Sequence, residues 1–151
     1  MGGCSWYYRV DKTTDGGETW TWLNGVRNGV STLAIDAATP TTLYAGRPDH
    51  YPWGYPGVSK STDAGAHWTD LPGLDESTLG LVIDPATPAT LYAGTEHGVF
   101  KSADAGKRWG LTGLTATAVS LAIDPMTTTT LYAATDHGVF KSSDGASTWI
   151  G

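Results

Sequence analysis

The chain has 151 residues, of which 40% are hydrophobic and 16% are charged, a composition that indicates a globular domain rather than a disordered segment. Its formal net charge of −6 and the lack of a basic cluster argue against a nucleic-acid partner. No apolar run is long enough to span a membrane, and the single cysteine, Cys4, excludes an internal disulfide. Residues 1–10 also lack the apolar core of a secretory signal, so the compartment is left open.

The predicted strands are short and are separated by turn residues. Two strands come first, one near Val10 and one opening at Trp20, on either side of an Asp-Gly turn. From Ser31 the strands recur as a unit, in which "STLAI" ends at Asp36 and a Pro-Thr turn leads into "TLYAG". A third strand, such as "GVFKS" at residues 98–102, leads through another Asp-Gly turn to a strand that a tryptophan opens. No long segment has a helical period.

Two phrases repeat in step along the chain. The first, called here the Asp–Trp turn, reads "KTTDGGETW", "KSTDAGAHW", "KSADAGKRW" and "KSSDGASTW" in its four copies. Its Asp residues are spaced by 48, 41 and 40 positions: Asp15, Asp63, Asp104 and Asp144. The second phrase, "LAIDAATPTTLYAG" in its first copy, places Asp36, Asp84 and Asp124 at spacings of 48 and 40. Because both phrases keep the same period, one structural unit has been copied.

A period of about 40 to 45 residues with four strands is typical of a β-propeller blade. We therefore predict an all-β propeller of four-stranded antiparallel blades, with strands a to d running from the centre outward. Counting along the chain gives strands c and d of one blade, two complete blades, and strands a to c of another. Residues 1–151 are thus expected to form a single domain and a partial ring of about three and a half to four blades.

These repeats resemble those of a known class of propellers. The pattern Ser-x-Asp-x-Gly-x-Thr-Trp is similar to the Asp-box, or BNR, repeat of bacterial sialidases, xyloglucan-degrading glycoside hydrolases, sortilin-type receptors and a photosystem assembly factor. The match extends over nearly the whole chain from Val10, with Ala146 in place of the second glycine and His67 and Arg108 in place of the threonine before tryptophan. The resemblance implies that the Asp–Trp turns lie on c–d hairpins, away from the substrate face. It also implies relatives that are often secreted.

The Asp–Trp turns are expected to hold the fold rather than to do chemistry. In such a turn the Asp carboxylate accepts backbone N–H groups, glycine supplies a positive φ, and tryptophan anchors the hairpin. A catalytic residue is not needed once in every blade, so the repetition favours this role over metal binding or acid catalysis. The structural residues are Asp15, Asp63, Asp104, Asp144, Trp20, Trp68, Trp109 and Trp149.

The b–c loops, which propeller topology places at the opposite edge, each carry an acid followed by a histidine. Histidine titrates near neutral pH and a neighbouring carboxylate tunes it, so these pairs are candidates to activate water or to ligate a metal. The alternative is that they are turns copied with the rest of the blade. The candidate catalytic residues are Asp49 and His50, Glu96 and His97, and Asp136 and His137.

The first b–c loop, "GRPDHYPWGYPG", is seven residues longer than "GTEHG", the next one. Its aromatic residues suit stacking on a sugar ring or enclosing an apolar ligand. The alternatives are a plug over the end of the propeller or a contact to a second chain. The candidate ligand contacts are Tyr51, Trp53, Tyr55 and Arg47, together with Arg27 on a d–a loop; Asp75 and Glu76, on the next d–a loop, are expected to face the same way.

Two functions remain open at this point. The first is a binding module whose b–c loop face takes a carbohydrate or small molecule, which the dominance of structural repeats favours. The second is a hydrolase, either a glycosidase or a calcium-dependent lactonase or esterase, in which the acid–His pairs do the chemistry. The sequence contains no nucleophile elbow, phosphate loop or zinc signature. Calcium is a cofactor only in the lactonase alternative, for which loop carboxylates are the expected ligands.

An arc of blades also exposes hydrophobic flanks at its two ends. Either the chain is a fragment of a longer propeller, or copies of it assemble into a ring. We expect a homo-oligomer, with a dimer favoured, although both ends supply a strand c and simple sealing of one blade fails.

Overall fold

The computed structural model describes residues 10–23, 25–26, 29–49 and 55–151. Within these residues the chain forms thirteen strands and no helix, so no helix there could cross a membrane. The predicted all-β class is therefore confirmed. The strands are β1 (Val10–Lys12), β2 (Thr21–Leu23), β3 (Thr32–Ile35), β4 (Leu43–Arg47), β5 (Gly57–Ser61), β6 (Thr69–Asp70), β7 (Thr78–Ile83), β8 (Leu91–Thr95), β9 (Gly98–Ser102), β10 (Gly110–Leu111), β11 (Ala118–Ile123), β12 (Leu131–Thr135) and β13 (Gly138–Ser142).

The strands pair with their chain neighbours into four antiparallel sheets. The first sheet contains β1 and β2, the second β3 to β6, the third β7 to β10, and the fourth β11 to β13. Each sheet is a meander in which every strand pairs with the next one along the chain, as propeller blades require. Strand β7 contacts both β3 and β11, so the innermost strands of consecutive sheets lie side by side.

The sheets pack face to face through one repeated set of apolar side chains. We call the side of a sheet that faces the next sheet its front, and the opposite side its back. Tyr44 and Val58 on the front of the second sheet share a buried core with Leu81 and Ile83 on the back of the third sheet. The third and fourth sheets repeat this arrangement with Tyr92, Val99, Leu121 and Ile123. Alternation along each strand therefore gives every sheet two apolar sides.

The Asp–Trp turns are hairpins with two consecutive residues at positive φ. In the described residues the non-glycine positions with positive φ are all in these turns: Ala64, Ala105 and Ala146. The fifth residue of the turn, counted from its Ser, packs against the preceding sheet. A Cβ added at Gly106 would overlap Leu71 Cδ1, and one at Gly65 would overlap Leu23. Glycine is favoured there because a Cβ would force the leucine side chain to shift and would sit at a positive φ that residues with a side chain adopt at a cost.

The fourth Asp–Trp turn packs against the preceding sheet through different residues. Ala146 takes the place of the glycine and is buried, with φ at 72°. Thr112 of the third sheet corresponds to Leu71 of the second sheet. The Leu71 backbone N–H donates to the Val58 carbonyl, and the Thr112 backbone N–H donates to the equivalent Val99 carbonyl. Thr112 and Ala146 line the same open groove between the third and fourth sheets. The shorter Thr112 side chain therefore leaves the room that the Ala146 methyl group needs.

Candidate functional site

The carboxylate of each Asp–Trp turn accepts hydrogen bonds from residues of the same turn. Asp104 Oδ1 accepts the Ser102 hydroxyl at 3.0 Å and the Arg108 backbone N–H at 2.9 Å. Ser102 Oγ in turn accepts the Gly106 N–H at 2.9 Å, and Trp109 Nε1 donates to the Gly106 carbonyl at 3.1 Å. The same bonds from serine and to aspartate recur in the second and fourth turns. Bonds of this kind close a turn and leave little capacity for a ligand.

These hydrogen bonds also favour the charged carboxylate. The Thr148 hydroxyl, helped by the Thr148 backbone N–H, lowers the pKa of Asp144 from 3.8 to about 2. The His67 backbone N–H and imidazole lower the pKa of Asp63 to about 2 in the same way. The pKa of Asp104 is lowered chiefly by the Arg108 N–H, and that of Asp15 chiefly by the Thr19 hydroxyl. A general acid needs the opposite shift, so these aspartates suit a structural role.

The Asp–Trp turns share an edge of the molecule with the a–b turns. The backbone N–H groups of Ala64 and Ala105 each donate at 2.8 Å to an a–b turn carbonyl, of Thr41 and Ala89 respectively. The repeated aspartates of the a–b turns also serve their own turns, as when Asp84 Oδ1 accepts the Ala86 N–H at 2.8 Å. We call this side of the molecule the turn edge, and the hydrogen bonds of its aspartates stay within one repeat.

The b–c loops and the d–a loops meet at the opposite side, called here the loop edge. Asp49 N–H donates to Ser77 Oγ at 2.9 Å, and Thr117 Oγ1 donates to the Glu96 carbonyl at 2.9 Å. The Asp136 N–H also donates to the Thr117 carbonyl, at 3.3 Å. Each of these bonds joins a b–c loop to a d–a loop. The predicted separation of the acid–His loops from the tryptophan hairpins is therefore present in the structure.

His97 and Glu76 form a pair across two loops of the loop edge. His97 Nδ1 lies 2.6 Å from Glu76 Oε2, and the His97 side chain is 71% exposed. The Glu76 hydrogen bond, followed by its charge, raises the pKa of His97 above the ordinary 6.5, with a smaller contribution from Glu96. A carboxylate only accepts, so Nδ1 carries the proton and Nε2 is the free ring nitrogen.

The backbone of the "TEHG" loop holds His97 in place. The His97 N–H donates to Thr95 Oγ1 at 3.1 Å, and Thr95 Oγ1 donates to the Gly98 carbonyl at 3.1 Å. Thr95 is fully buried, which fixes the base of the loop. Gly98 has φ at 128°, and a Cβ there would overlap the Leu114 carbonyl. The loop is thus a rigid bend that presents an exposed imidazole.

The other predicted site residues lie in varied settings. His137 Nδ1 is 2.8 Å from Asp136 Oδ1, within one exposed loop. Tyr55 and Asp49 are exposed, whereas Arg47 is buried with its Nη1 3.0 Å from Asp70 Oδ1, an acid that also accepts the Ser59 hydroxyl. The remaining candidates, which fall outside the described residues, are His50, Tyr51, Trp53 and Arg27.

Glu76 was expected to face the loop edge but not to pair with a histidine. Adjacency in sequence paired His97 with Glu96, but the structure brings the carboxylate of Glu76 to the imidazole from the preceding d–a loop. The available signal was topological, since d–a and b–c loops share an edge in a propeller. Within the described residues no three His, Cys, Asp or Glu side chains come together as a metal site.

No family model and no curated protein sequence matches this chain. Solved structures do match it, among them a GH74 enzyme from Niastella koreensis, with a TM-score of 0.70, 28% identity, and coverage of 82% of this chain and 22% of that one. A GH74 xyloglucanase from Xanthomonas campestris gives a TM-score of 0.70 and 20% identity over 87% of this chain and 25% of that one. A gluconolactonase from the same organism gives a TM-score of 0.69 and 14% identity over 93% of this chain and 46% of that one.

These likenesses establish the fold. The neighbours are propeller proteins, so the four antiparallel sheets are the blades of a β-propeller. The chain spans about a fifth to a quarter of the length of the GH74 structures that it matches. Two of the neighbours are named for the cleavage of glycosidic bonds or lactones, at identities too low to carry a shared activity to this chain.

Proposed function

We propose that this chain is an Asp-box propeller whose loop edge binds a carbohydrate or a similar polyhydroxylated small molecule. The observation that carries the proposal is the contact between Glu76 and His97, 2.6 Å long, in which the His97 side chain is 71% exposed. Glu76 holds Nδ1 of this exposed imidazole, which leaves Nε2 as the nitrogen that a ligand can contact. On the turn edge His67 makes a similar contact, 2.7 Å to Asp63, but that carboxylate is already bound to the serine and backbone of its own turn.

The chemistry of the pair suits hydroxyl groups. With Nδ1–H bonded to Glu76, neutral His97 accepts a hydrogen bond at Nε2, and the protonated ring donates one there. A sugar hydroxyl can donate or accept, so it is bound in either state. Tyr55 adds an exposed aromatic ring in the long b–c loop, and aromatic faces stack on the apolar sides of sugar rings. The neighbours named for xyloglucan and gluconolactone chemistry support a ligand of this class.

A hydrolase is the second candidate, and the same pair favours it. A carboxylate that holds Nδ1 and raises the basicity of the ring is the arrangement of a histidine general base, which removes a proton from water through Nε2. Glycosidases instead need two carboxyl groups set about 5–10 Å apart across the scissile bond. A calcium-dependent lactonase needs several oxygen ligands, and no three acidic or histidine groups cluster within the described residues. Lactone or ester cleavage with His97 as the general base is the form that the Glu76–His97 contact supports.

Calorimetric titration with a xyloglucan oligosaccharide and with δ-gluconolactone tests the proposal, with lactone hydrolysis followed in parallel with and without a chelator. We expect His97→Ala to lower the affinity at least tenfold while the melting temperature is kept. The matched control is His67→Ala, because His67 has the same Nδ1–carboxylate contact, 2.7 Å to Asp63, but lies on the turn edge. Equal affinities in the two variants, or no binding of either probe, would contradict the proposal. Hydrolysis lost only in His97→Ala would select the enzyme.

A further inference from the structure

The fourth sheet on its front, and the second sheet on the part of its back that the two-stranded first sheet leaves uncovered, expose the same side chains that the inner interfaces bury. On the front, Tyr92 is 2% exposed in the third sheet, and Tyr132 at the same position of the fourth sheet is 40% exposed. Val99 is 0% exposed, and its counterpart Val139 is 64% exposed. On the back, Ile83 of the third sheet is 9% exposed, whereas Ile35 of the second sheet is 59% exposed and Leu33 is also exposed. Each end thus presents one half of an interface found inside the chain.

The internal interfaces show what these halves fit. The front of the second sheet packs on the back of the third, and the front of the third packs on the back of the fourth. In both cases a Tyr–Val pair meets a Leu–Ile pair. The exposed front carries Tyr132 and Val139, and the exposed back carries Leu33 and Ile35. The two uncovered surfaces are therefore complementary to each other and not to themselves.

We infer that the front of the fourth sheet of one copy packs on the back of the second sheet of another copy of this chain. The contact continues the established packing between sheets, with the same residue types in the same register. Because one surface is a front and the other a back, the contact is heterologous, and a closed ring results if the rotation per sheet is kept. This inference is independent of the proposed ligand site on the loop edge.

Polar groups at the inner interface support the same partner. In the third sheet Lys101 Nζ donates to the Gly145 carbonyl at 3.0 Å, and the Tyr92 hydroxyl donates to it at 3.4 Å. Gly145 is the fourth residue of the next Asp–Trp turn, and the corresponding residue of the second sheet is Ala64. The fourth sheet has the same Lys–Tyr stack, with Lys141 Nζ 5.7 Å from the Tyr132 ring centre. In the docked pair these two side chains would reach the Ala64 carbonyl of the neighbouring copy.

The docking requires strand β1 to leave its position beside the second sheet. The c position beside the second sheet is held by β1, where Val10 is buried, and the incoming fourth sheet brings β13 to that position. Strand β13 is paired with β12 through five residues, whereas β1 is paired with β2 through three. The proposed docking therefore includes displacement of the β1–β2 hairpin, which has the shorter ladder of the two. Each copy then supplies three sheets, and two copies make a ring of about six, within the range of closed propellers.

The mass of the particle in solution, measured by light scattering, tests this interface. We expect the chain, with a single-copy mass of 15.9 kDa, to show twice that mass. Ile35→Asp and Tyr132→Asp should each give the single-copy mass, because each destroys one half of the contact. Met126→Asp is the control, since Met126 is highly exposed in an a–b turn outside both surfaces. It should leave the mass unchanged.

Mixing distinguishes this heterologous contact from a symmetric one. Ile35→Asp keeps an intact front and Tyr132→Asp keeps an intact back, so an equimolar mixture should recover a two-copy particle. A disulfide provides a second readout that does not depend on the charged variants folding: in a Cys4→Ser background, Ile35→Cys and Tyr132→Cys should cross-link in the mixture and not separately. A single-copy mass for the unaltered chain, or a mixture that neither associates nor cross-links, would overturn the inference.

Discussion

The turn edge and the loop edge of this propeller are built from the same repeat but differ in what their polar groups contact. On the turn edge, Asp63, Asp104 and Asp144 accept hydrogen bonds from the same positions of their own turns. On the loop edge, His97 is held by Glu76 from another loop, whereas His137 is held by its own neighbour. The aspartate contacts of the turn edge repeat from sheet to sheet, whereas the carboxylate–imidazole contacts of the loop edge differ between sheets.

With the proposed ligand site, this difference assigns stability to the turn edge and recognition to the loop edge. A contact that recurs at every sheet stabilises a unit that all sheets share, and its loss should be measured as a loss of stability. A contact that occurs once at an exposed edge adds little to stability and can be shaped for a ligand. Substitutions on the two edges test this division.

Removing a tryptophan anchor should have the largest effect. Trp109 packs against the core shared by the second and third sheets, so Trp109→Ala should lower the free energy of unfolding by about 2–4 kcal/mol. Trp20 occupies the same position of the first turn but is exposed, so Trp20→Ala should cost less than half as much. Urea unfolding measures both. Equal losses would show that the tryptophans act within their turns and not through packing between sheets.

The fifth residue of the Asp–Trp turn should respond differently in neighbouring turns. Gly106→Ala adds a methyl group that overlaps Leu71 at a positive φ, and we expect a loss of about 1–3 kcal/mol. Ala146→Gly relieves a positive φ and should change stability by less than about 1 kcal/mol, in the stabilising direction. Thr112→Leu should be tolerated better in the Ala146→Gly background than alone. An additive double-mutant cycle would contradict the packing exchange between these two positions.

Acid should weaken the turn edge through its aspartates. Because folding lowers the pKa of Asp144 from 3.8 to about 2, its contribution to stability is complete above pH 3.8 and is lost as the pH falls towards 2. Thr148→Val removes the hydroxyl that has the largest effect on this pKa and leaves the Thr148 backbone N–H position in place. NMR titration of the carboxylate should therefore show a partly restored pKa. An unchanged value would mean that the hydroxyl bond is not maintained in solution.

The smallest effect should be a shift in the titration of one histidine. Glu76→Gln removes the main cause of the raised His97 pKa, so that pKa should fall towards 6.5 with almost no change in melting temperature. The sign follows from linkage: the pair stabilises the fold below pH 6.5, and this stabilisation is lost as the pH rises through the raised pKa. Glu96→Gln, which removes the smaller contribution, is the control. A larger change of the His97 pKa in Glu96→Gln than in Glu76→Gln would show that His97 pairs with Glu96, as adjacency in the sequence suggests.

The sequence was sufficient for the fold because the repeat is local. The period, the turn residues and the alternating strands all follow from short-range patterns, and the strand bounds agree with them to within a few residues. The Glu76–His97 pair joins residues 21 positions apart, on two loops whose orientation depends on how two sheets pack. The burial of Arg47 against Asp70 could not be predicted for the same reason. No local pattern shows that a charged side chain at the end of a strand is buried.

The division between the two edges is tested most directly by one paired measurement of affinity and melting temperature in two variants. Glu76→Gln alters the loop edge, and Asp104→Asn alters the turn edge. In Glu76→Gln, the affinity for the xyloglucan oligosaccharide or δ-gluconolactone should fall while the melting temperature is unchanged. In Asp104→Asn the melting temperature should fall while affinity, measured below that temperature, is retained. If Asp104→Asn abolishes binding in a folded protein while Glu76→Gln binds normally, the assignment of recognition to the loop edge is wrong.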